Sequence, residues 1–233
     1  MAAVPFRRNT MSIYDILGPV MVGPSSSHTA GAVRIGLVTR KLLGSQPEIA
    51  KISLCGSFAA TGKGHGTDRA LVAGLLGMQP DDIRIPDSFS LAAEQGMRLY
   101  FEDVSLKDVH PNTALLDVSA PNGRRLEIQA SSLGGGRIMI NKIDGIDVNV
   151  TGENPTLIVH NLDQPGHVAE VTSMLSHKSV NIAAMQLYRN KRGGYAVMVL
   201  ETDQPIPESC MEWLEHHVEG VIKVTYLDMT EDI

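Results

Sequence analysis

From Thr156 onward the apolar pattern switches between period 2 and period 3.6 in one fixed order, and few folds accept that order. Leu157 to Asn161 reads as a strand, Gly166 to His177 as a helix, Asn181 to Arg189 and Tyr195 to Glu201 as two strands, Pro207 to His216 as a helix, and Ile222 to Asp228 as a last strand. That βαββαβ order is the ferredoxin-like split arrangement. Met174, Leu175 and Met185 are its expected core residues. His216-His217 reads as a solvated helix end, where positive charge is mildly favourable.

The polar stretch Thr151 to Pro155 reads as a linker, which divides the chain into residues 1–152 and 153–233. Ahead of the linker the pattern is α/β. Gly31, Ile35, Val38 and Leu42 give one apolar or small face to a helix from about Ser27 to Leu43, stopped by Gly44. Lys51 to Phe58 alternates like a strand, Thr61 to Thr67 is a glycine-rich loop, and Asp68 caps a second helix through Leu71, Val72, Leu75 and Leu76 to Gly77. A short helix at Ser90 to Gln95 precedes strands at Met97 to Val104, Ala114 to Ala120, Leu126 to Ser131, Arg137 to Ile143 and Ile146 to Val150. Pro121-Asn122-Gly123 marks a hairpin, and Gly134 to Gly136 a tight turn. The fold class is therefore α/β (α+β).

Of the 233 residues, 43% are hydrophobic, enough for two modest domains with real cores. With 20 Lys plus Arg against 26 Asp plus Glu, the net charge of -6 provides no basic field for nucleic acid or anionic lipid. No run approaches the roughly 20 apolar residues that span a bilayer, so the expectation is a cytoplasmic protein with no membrane partner. The start through Thr10 has no apolar run after Arg7 and Arg8, reads as a short disordered arm, and leaves Met11 as an alternative start. Cys55 and Cys210 encode neither a disulfide framework nor a complete thiolate site.

The chemistry concentrates at helix starts. Ile13 to Gly23 is apolar and broken by Gly18, Pro19 and Gly23; Pro24-Ser25-Ser26-Ser27-His28-Thr29 follows, just where a helix begins. Amide N–H groups, hydroxyls and the positive dipole end converge there, which suits a carboxylate. One cap is sufficient for one helix, and five polar side chains exceed that need. Lys63-Gly64-His65-Gly66-Thr67-Asp68 repeats the design, with His65 available for proton transfer. His110-Pro111-Asn112-Thr113 adds an imidazole and an amide in a rigid turn, a pattern more often structural than functional. No Zn spacing joins His28, His65 and His110, and Ser25 to Thr29 does not match the hydrolase elbow Gly-x-Ser-x-Gly. In the last third, Asn161, Asp163, Gly166, His167 and Val168 join strand to helix, with Asp163 as cap candidate. Such corners bind small effectors in some domains and only turn the chain in others.

Tyr14-Asp15-Ile16-Leu17-Gly18-Pro19-Val20-Met21-Val22-Gly23-Pro24-Ser25-Ser26-Ser27-His28-Thr29-Ala30-Gly31 resembles the β chain of bacterial iron-sulfur L-serine dehydratases. Gly56-Ser57-Phe58, Lys63 to Asp68, His110 to Thr113 and Ser132 to Gly136 resemble further motifs of that family in the same order. The likeness covers about Ser12 to Val150, and an ACT-type regulatory module follows.

The resemblance implies an N-terminal α/β domain of the allosteric-substrate-binding type, also seen in some phosphoglycerate dehydrogenases, and a C-terminal ACT domain. It implies a separate α subunit carrying a [4Fe-4S] cluster on its own cysteines, and deamination of L-serine to pyruvate and ammonia without pyridoxal phosphate. His28 is then the first choice for proton transfer and His65 the second, with Ser25, Ser26, Ser27, Thr29, Thr67, Asp68, His110 and Asn112 orienting substrate or imidazoles. The ACT module is expected to pair with a second copy and to answer to an amino acid or potassium. The competing reading is an amino-acid sensor without catalysis, in which His28 is a ligand-binding group.

Overall fold

The computed structural model describes residues 20–229. The N-terminal arm and most of the irregular approach before Gly23 lie outside the described residues.

Two sheets and six α-helices make up this region, an α+β arrangement. A π-helical turn at Ser26–Ala30 runs directly into α1 (Gly31–Leu43), so the helix expected from Ser27 is two pieces. Gly44 ends α1 in the left-handed region at φ +82, its N–H closing on the carbonyls of Arg40 and Lys41. β1 (Ile49–Cys55) leads into α2 (Gly56–His65) and α3 (Thr67–Leu75). Here the structure corrects the expected glycine loop: residues 61–65 are helical, and only Gly66, at φ +70, breaks the chain between the two helices.

The glycines of α1 and α3 decide how those helices meet. A Cβ on Gly36 would lie 2.3 Å from the Leu71 carbonyl oxygen, and one on Gly74 would lie 2.0 Å from that of Val33. The helices therefore cross backbone against backbone, which any larger side chain at either position forbids.

After α4 (Ser88–Glu94) come β2 (Arg98–Val104), β3 (Thr113–Ser119), β4 (Arg125–Gly134), β5 (Arg137–Ile143) and β6 (Ile146–Val150). The first sheet has the order β2-β1-β3-β4-β5-β6, with only the β1–β2 pair parallel. The Pro121-Asn122-Gly123 hairpin forms as expected, and the β4–β5 turn uses Gly134, Gly135 and Gly136, all at positive φ. One face of the sheet supplies Ile52, Leu116, Ile128 and Ile140 to a core shared with Ile35 and Leu42 of α1 and Leu71 and Leu75 of α3.

The last third follows the expected order: β7 (Thr156–Leu162), α5 (His167–His177), β8 (Ile182–Arg189), β9 (Tyr195–Thr202), α6 (Glu208–His217) and β10 (Val221–Leu227). Its sheet runs β10-β7-β9-β8, every neighbouring pair antiparallel. Period 2 splits its side chains between two cores. Leu157, Val159, Met198 and Leu200 pack with Val171, Leu175 and Leu214 of α5 and α6, whereas Ile158, Val197, Val199 and Leu227 join the first core. Met174 and Leu175 are buried as expected, but Met185 is 41% exposed because β8 is an edge strand. His216 and His217 are exposed at the end of α6.

Candidate active site

His28 stands on the π-helical turn, half-buried, with hydroxyls at both ring nitrogens. Its Nδ1 lies 3.2 Å from Ser27 Oγ and 3.4 Å from Ser25 Oγ. Its Nε2 lies 3.0 Å from Thr61 Oγ1 and 3.1 Å from Ser57 Oγ. Ser25 also accepts the His28 main-chain N–H at 3.2 Å, so one serine caps the turn and touches the ring it carries. Ser26 turns away and accepts the Gly135 N–H at 3.3 Å, tying the turn to the β4–β5 hairpin.

The opposite wall is α2. Ser57, Thr61 and His65 recur every four residues and so form one polar stripe facing His28. The His65 ring lies 4.9 Å from that of His28, centroid to centroid, and Phe58 meets His28 edge-on at 5.3 Å. Pro111 fixes the start of α2, its carbonyl accepting the Ser57 and Phe58 N–H groups at 2.7 and 3.4 Å. A Cβ on Gly56 would sit 2.7 Å from that oxygen. Burial lowers the His28 pKa below its ordinary 6.5 and the charge of His65 lowers it further, while a hydrogen bond with the Ser57 backbone opposes both. The net effect favours the uncharged form of the His28 ring.

Several expected site residues stand elsewhere. His65 is near His28, but at the end of α2, not at a helix start. Asp68 does not cap α3: the N-cap is Gly66, and the Asp68 carboxylate accepts the Arg69 N–H. Thr29 and Thr67 are buried beneath the surface, their hydroxyls without partners among the described residues. The exposed His110 accepts the Asn112 N–H on Nδ1, and its ring lines a separate cavity of about 510 Å³ with Gln129, Ser131 and Asn141. The turn's contact with the site is the Pro111 carbonyl rather than the His110 or Asn112 side chain.

Thr61 is the site residue that motif reading missed, and Ser57, although within the Gly56-Ser57-Phe58 motif, was given no role at the site. The i, i+4, i+8 run of Ser57, Thr61 and His65 was the available signal, hidden once the glycines were read as a loop.

At the second helix start, Asn161 and His167 are 3% and 5% exposed. Asn161 Oδ1 and both His167 ring nitrogens have no hydrogen-bond partner among the described residues. Val168 is partly buried against the second core, and Gly166 precedes α5 at φ +108 with no side-chain cap. Asp163 does not cap α5 either; it accepts the Gly193 N–H at 2.9 Å and pairs with Arg189 at 3.1 Å, which hold its carboxyl below the usual range.

The thiols do not fit a metal cluster. Cys55 is buried in β1 and Cys210 in the second core, and burial pushes the Cys55 thiol up. Among the described residues no group of three His, Cys, Asp or Glu could hold a metal ion, and no helix is long and apolar enough to cross a membrane.

In this α+β chain one imidazole stands between two pairs of hydroxyls, with a second imidazole beside it. The chain belongs to the serine dehydratase beta chain family. That family's model matches residues 12–97. The chain is 41% identical over 214 residues to the probable L-serine dehydratase, beta chain, of Bacillus subtilis (strain 168), covering 92% of this chain and 96% of that one. It is also 41% identical over 215 residues to the L-serine dehydratase, beta chain, of Peptoniphilus asaccharolyticus, covering 92% and 95%. A D-3-phosphoglycerate dehydrogenase of Synechocystis is 26% identical over 182 residues, which span 77% of this chain and 32% of that protein.

Proposed function

We propose that the chain is the β subunit of an L-serine dehydratase and that His28 moves the proton in deamination of L-serine to pyruvate and ammonia. The observation that carries this reading is the His28 ring with Ser25 and Ser27 at one nitrogen, Ser57 and Thr61 at the other, and His65 at 4.9 Å. In this reading the helix start and its hydroxyls orient the serine carboxylate. His28 takes the α-proton, and His65 is close enough to pass it on. The [4Fe-4S] cluster expected from the resemblance is assigned to an α subunit, because the two buried thiols Cys55 and Cys210 are fewer than the three or four cysteines such a cluster takes. Departure of the serine hydroxyl is assigned to that partner.

The same reading divides the chain into a substrate-side domain, residues 1–152, of the allosteric-substrate-binding type, and a ferredoxin-like ACT domain, residues 153–233. The unpartnered Asn161 and His167 atoms support a small amino acid as the ligand of the second helix start. Met185 and Leu187, exposed on edge strand β8, support pairing of this domain with a second copy.

The test is anaerobic reconstitution with the α subunit, measuring pyruvate from L-serine. Turnover should require both chains, and His28→Ala should abolish it while the two chains still co-elute. Brisk deamination by the isolated chain, or a fully active His28→Ala complex, sinks the reading.

A further inference from the structure

We infer that Thr61 is a positioning residue that fixes the tautomer of His28, leaving Nδ1 as the basic nitrogen. The Thr61 hydroxyl donates to the Ser57 carbonyl at 2.9 Å, so its proton is committed along α2. Its oxygen, 3.0 Å from His28 Nε2, therefore meets the ring as an acceptor, and Nε2 carries the hydrogen. Ser57 Oγ, 3.1 Å away, shares that N–H.

A neutral imidazole with hydrogen on Nε2 keeps its lone pair on Nδ1. That is the nitrogen beside Ser27 and Ser25, which face it as hydroxyl donors. The Thr61 carbonyl does the same for the second ring: it lies 3.2 Å from His65 Nδ1, and a carbonyl can only accept, so His65 carries hydrogen on Nδ1. One residue thus sets both imidazoles, one through its side chain and one through its main chain. The bare His28 nitrogen faces the helix start that would hold a carboxylate.

The kinetic consequence rests on the proton-transfer reading above, whereas the tautomer is a property of the resting chain, and the experiment separates the two. Nitrogen-15 NMR of the full chain labelled at histidine, with His28→Gln to assign the signal, reads which His28 nitrogen carries hydrogen. The wild type should show Nε2–H, Thr61→Val should show loss of that preference, and Thr61→Ser should restore it. In the reconstituted complex Thr61→Val should lower kcat about tenfold with KM for L-serine little changed, the rate equivalent of one lost hydrogen bond. Thr61→Ser should recover the rate. Nδ1–H in the wild type, or an unaltered tautomer in Thr61→Val, overturns the inference. A tautomer that follows Thr61 while kcat does not would uphold it and remove His28 from the proton transfer.

Discussion

Two helix starts in this chain carry a histidine, and the structure treats them in opposite ways. At Ser25–Thr29 the imidazole is half-buried and has a hydroxyl partner at each nitrogen. At Asn161–His167 the imidazole is 5% exposed, neither nitrogen makes a hydrogen bond among the described residues, and Nδ1 has only the Glu170 carboxylate at 3.9 Å. A fully engaged ring is preorganised to move a proton and costs the fold little. A buried ring with empty valences costs stability until something supplies its hydrogen bonds. Under the proposed function the first corner carries the chemistry and the second takes a ligand.

Equivalent substitutions should separate them most widely in rate. His28→Leu in the reconstituted complex should lower turnover about 10²–10⁴-fold, the usual contribution of a positioned acid–base group, while far-ultraviolet circular dichroism of the chain stays unchanged. A loss below tenfold would break the contrast, because His28 would then be one more polar wall of the pocket.

His160 sharpens the comparison as a third imidazole, buried but surrounded by charge. It sits on β7, lining a cavity of about 260 Å³ with Asp144 and Lys223. Burial, Lys223 and Arg124 lower its pKa to about 4 against the opposing pull of Asp144. The unfolded chain binds this proton near the ordinary 6.5 and the folded chain does not, so the stabilisation is complete above pH 6.5. It erodes as pH falls towards 4, by up to about 3 kcal/mol. Urea denaturation at pH 7 and pH 4.5 should show that loss in the wild type and a flatter dependence in His160→Leu. Identical acid losses in both would assign the effect elsewhere and leave pH profiles of turnover open to a different reading.

The unpartnered corner predicts the opposite sign. His167→Leu removes two buried nitrogens that make no hydrogen bond, at the loss of only a 3.9 Å contact with the exposed Glu170 carboxylate, and the chain should gain about 1–3 kcal/mol in urea denaturation. A rise in melting temperature on adding L-serine, expected for the wild type through its bound state, should disappear in the variant. Destabilisation by His167→Leu together with an intact serine response would show that the ring is already satisfied and that this corner only turns the chain.

The contrast between the corners was partly legible before any fold was known. Both helix starts and the whole βαββαβ order followed from the apolar pattern, because β7 and β9 are short apolar runs buried on both faces, β8 alternates, and α5 and α6 contain no glycine. What failed was α2, whose sequence GSFAATGKGH carries three glycines and reads locally as a loop. The Pro111 carbonyl at its first turn and the packing of Phe58 outweigh that propensity. With α2 lost, Ser57 and Thr61 could not be aligned with His28, and Asp68 was misread as a cap. Partner accounting was equally out of reach: no pattern of letters says that His167 lies against Gly220, where a Cβ would sit 2.8 Å from its Nε2.

The smallest effect concerns the caps themselves. Ser25 accepts the His28 N–H and also reaches its ring, whereas α5 begins at Gly166 with no side-chain cap and Asp163 is engaged with Gly193 and Arg189. Ser25→Ala should therefore cost about 1 kcal/mol in denaturation and, by loosening the ring, lower kcat as well. Asp163→Ala should leave helix content unchanged. If Ser25→Ala alters stability without touching kcat, its hydroxyl serves only the backbone, and Ser27 alone donates to Nδ1. If Asp163→Ala unwinds α5, the capping role expected from sequence returns and the two helix starts are more alike than their hydrogen bonds indicate.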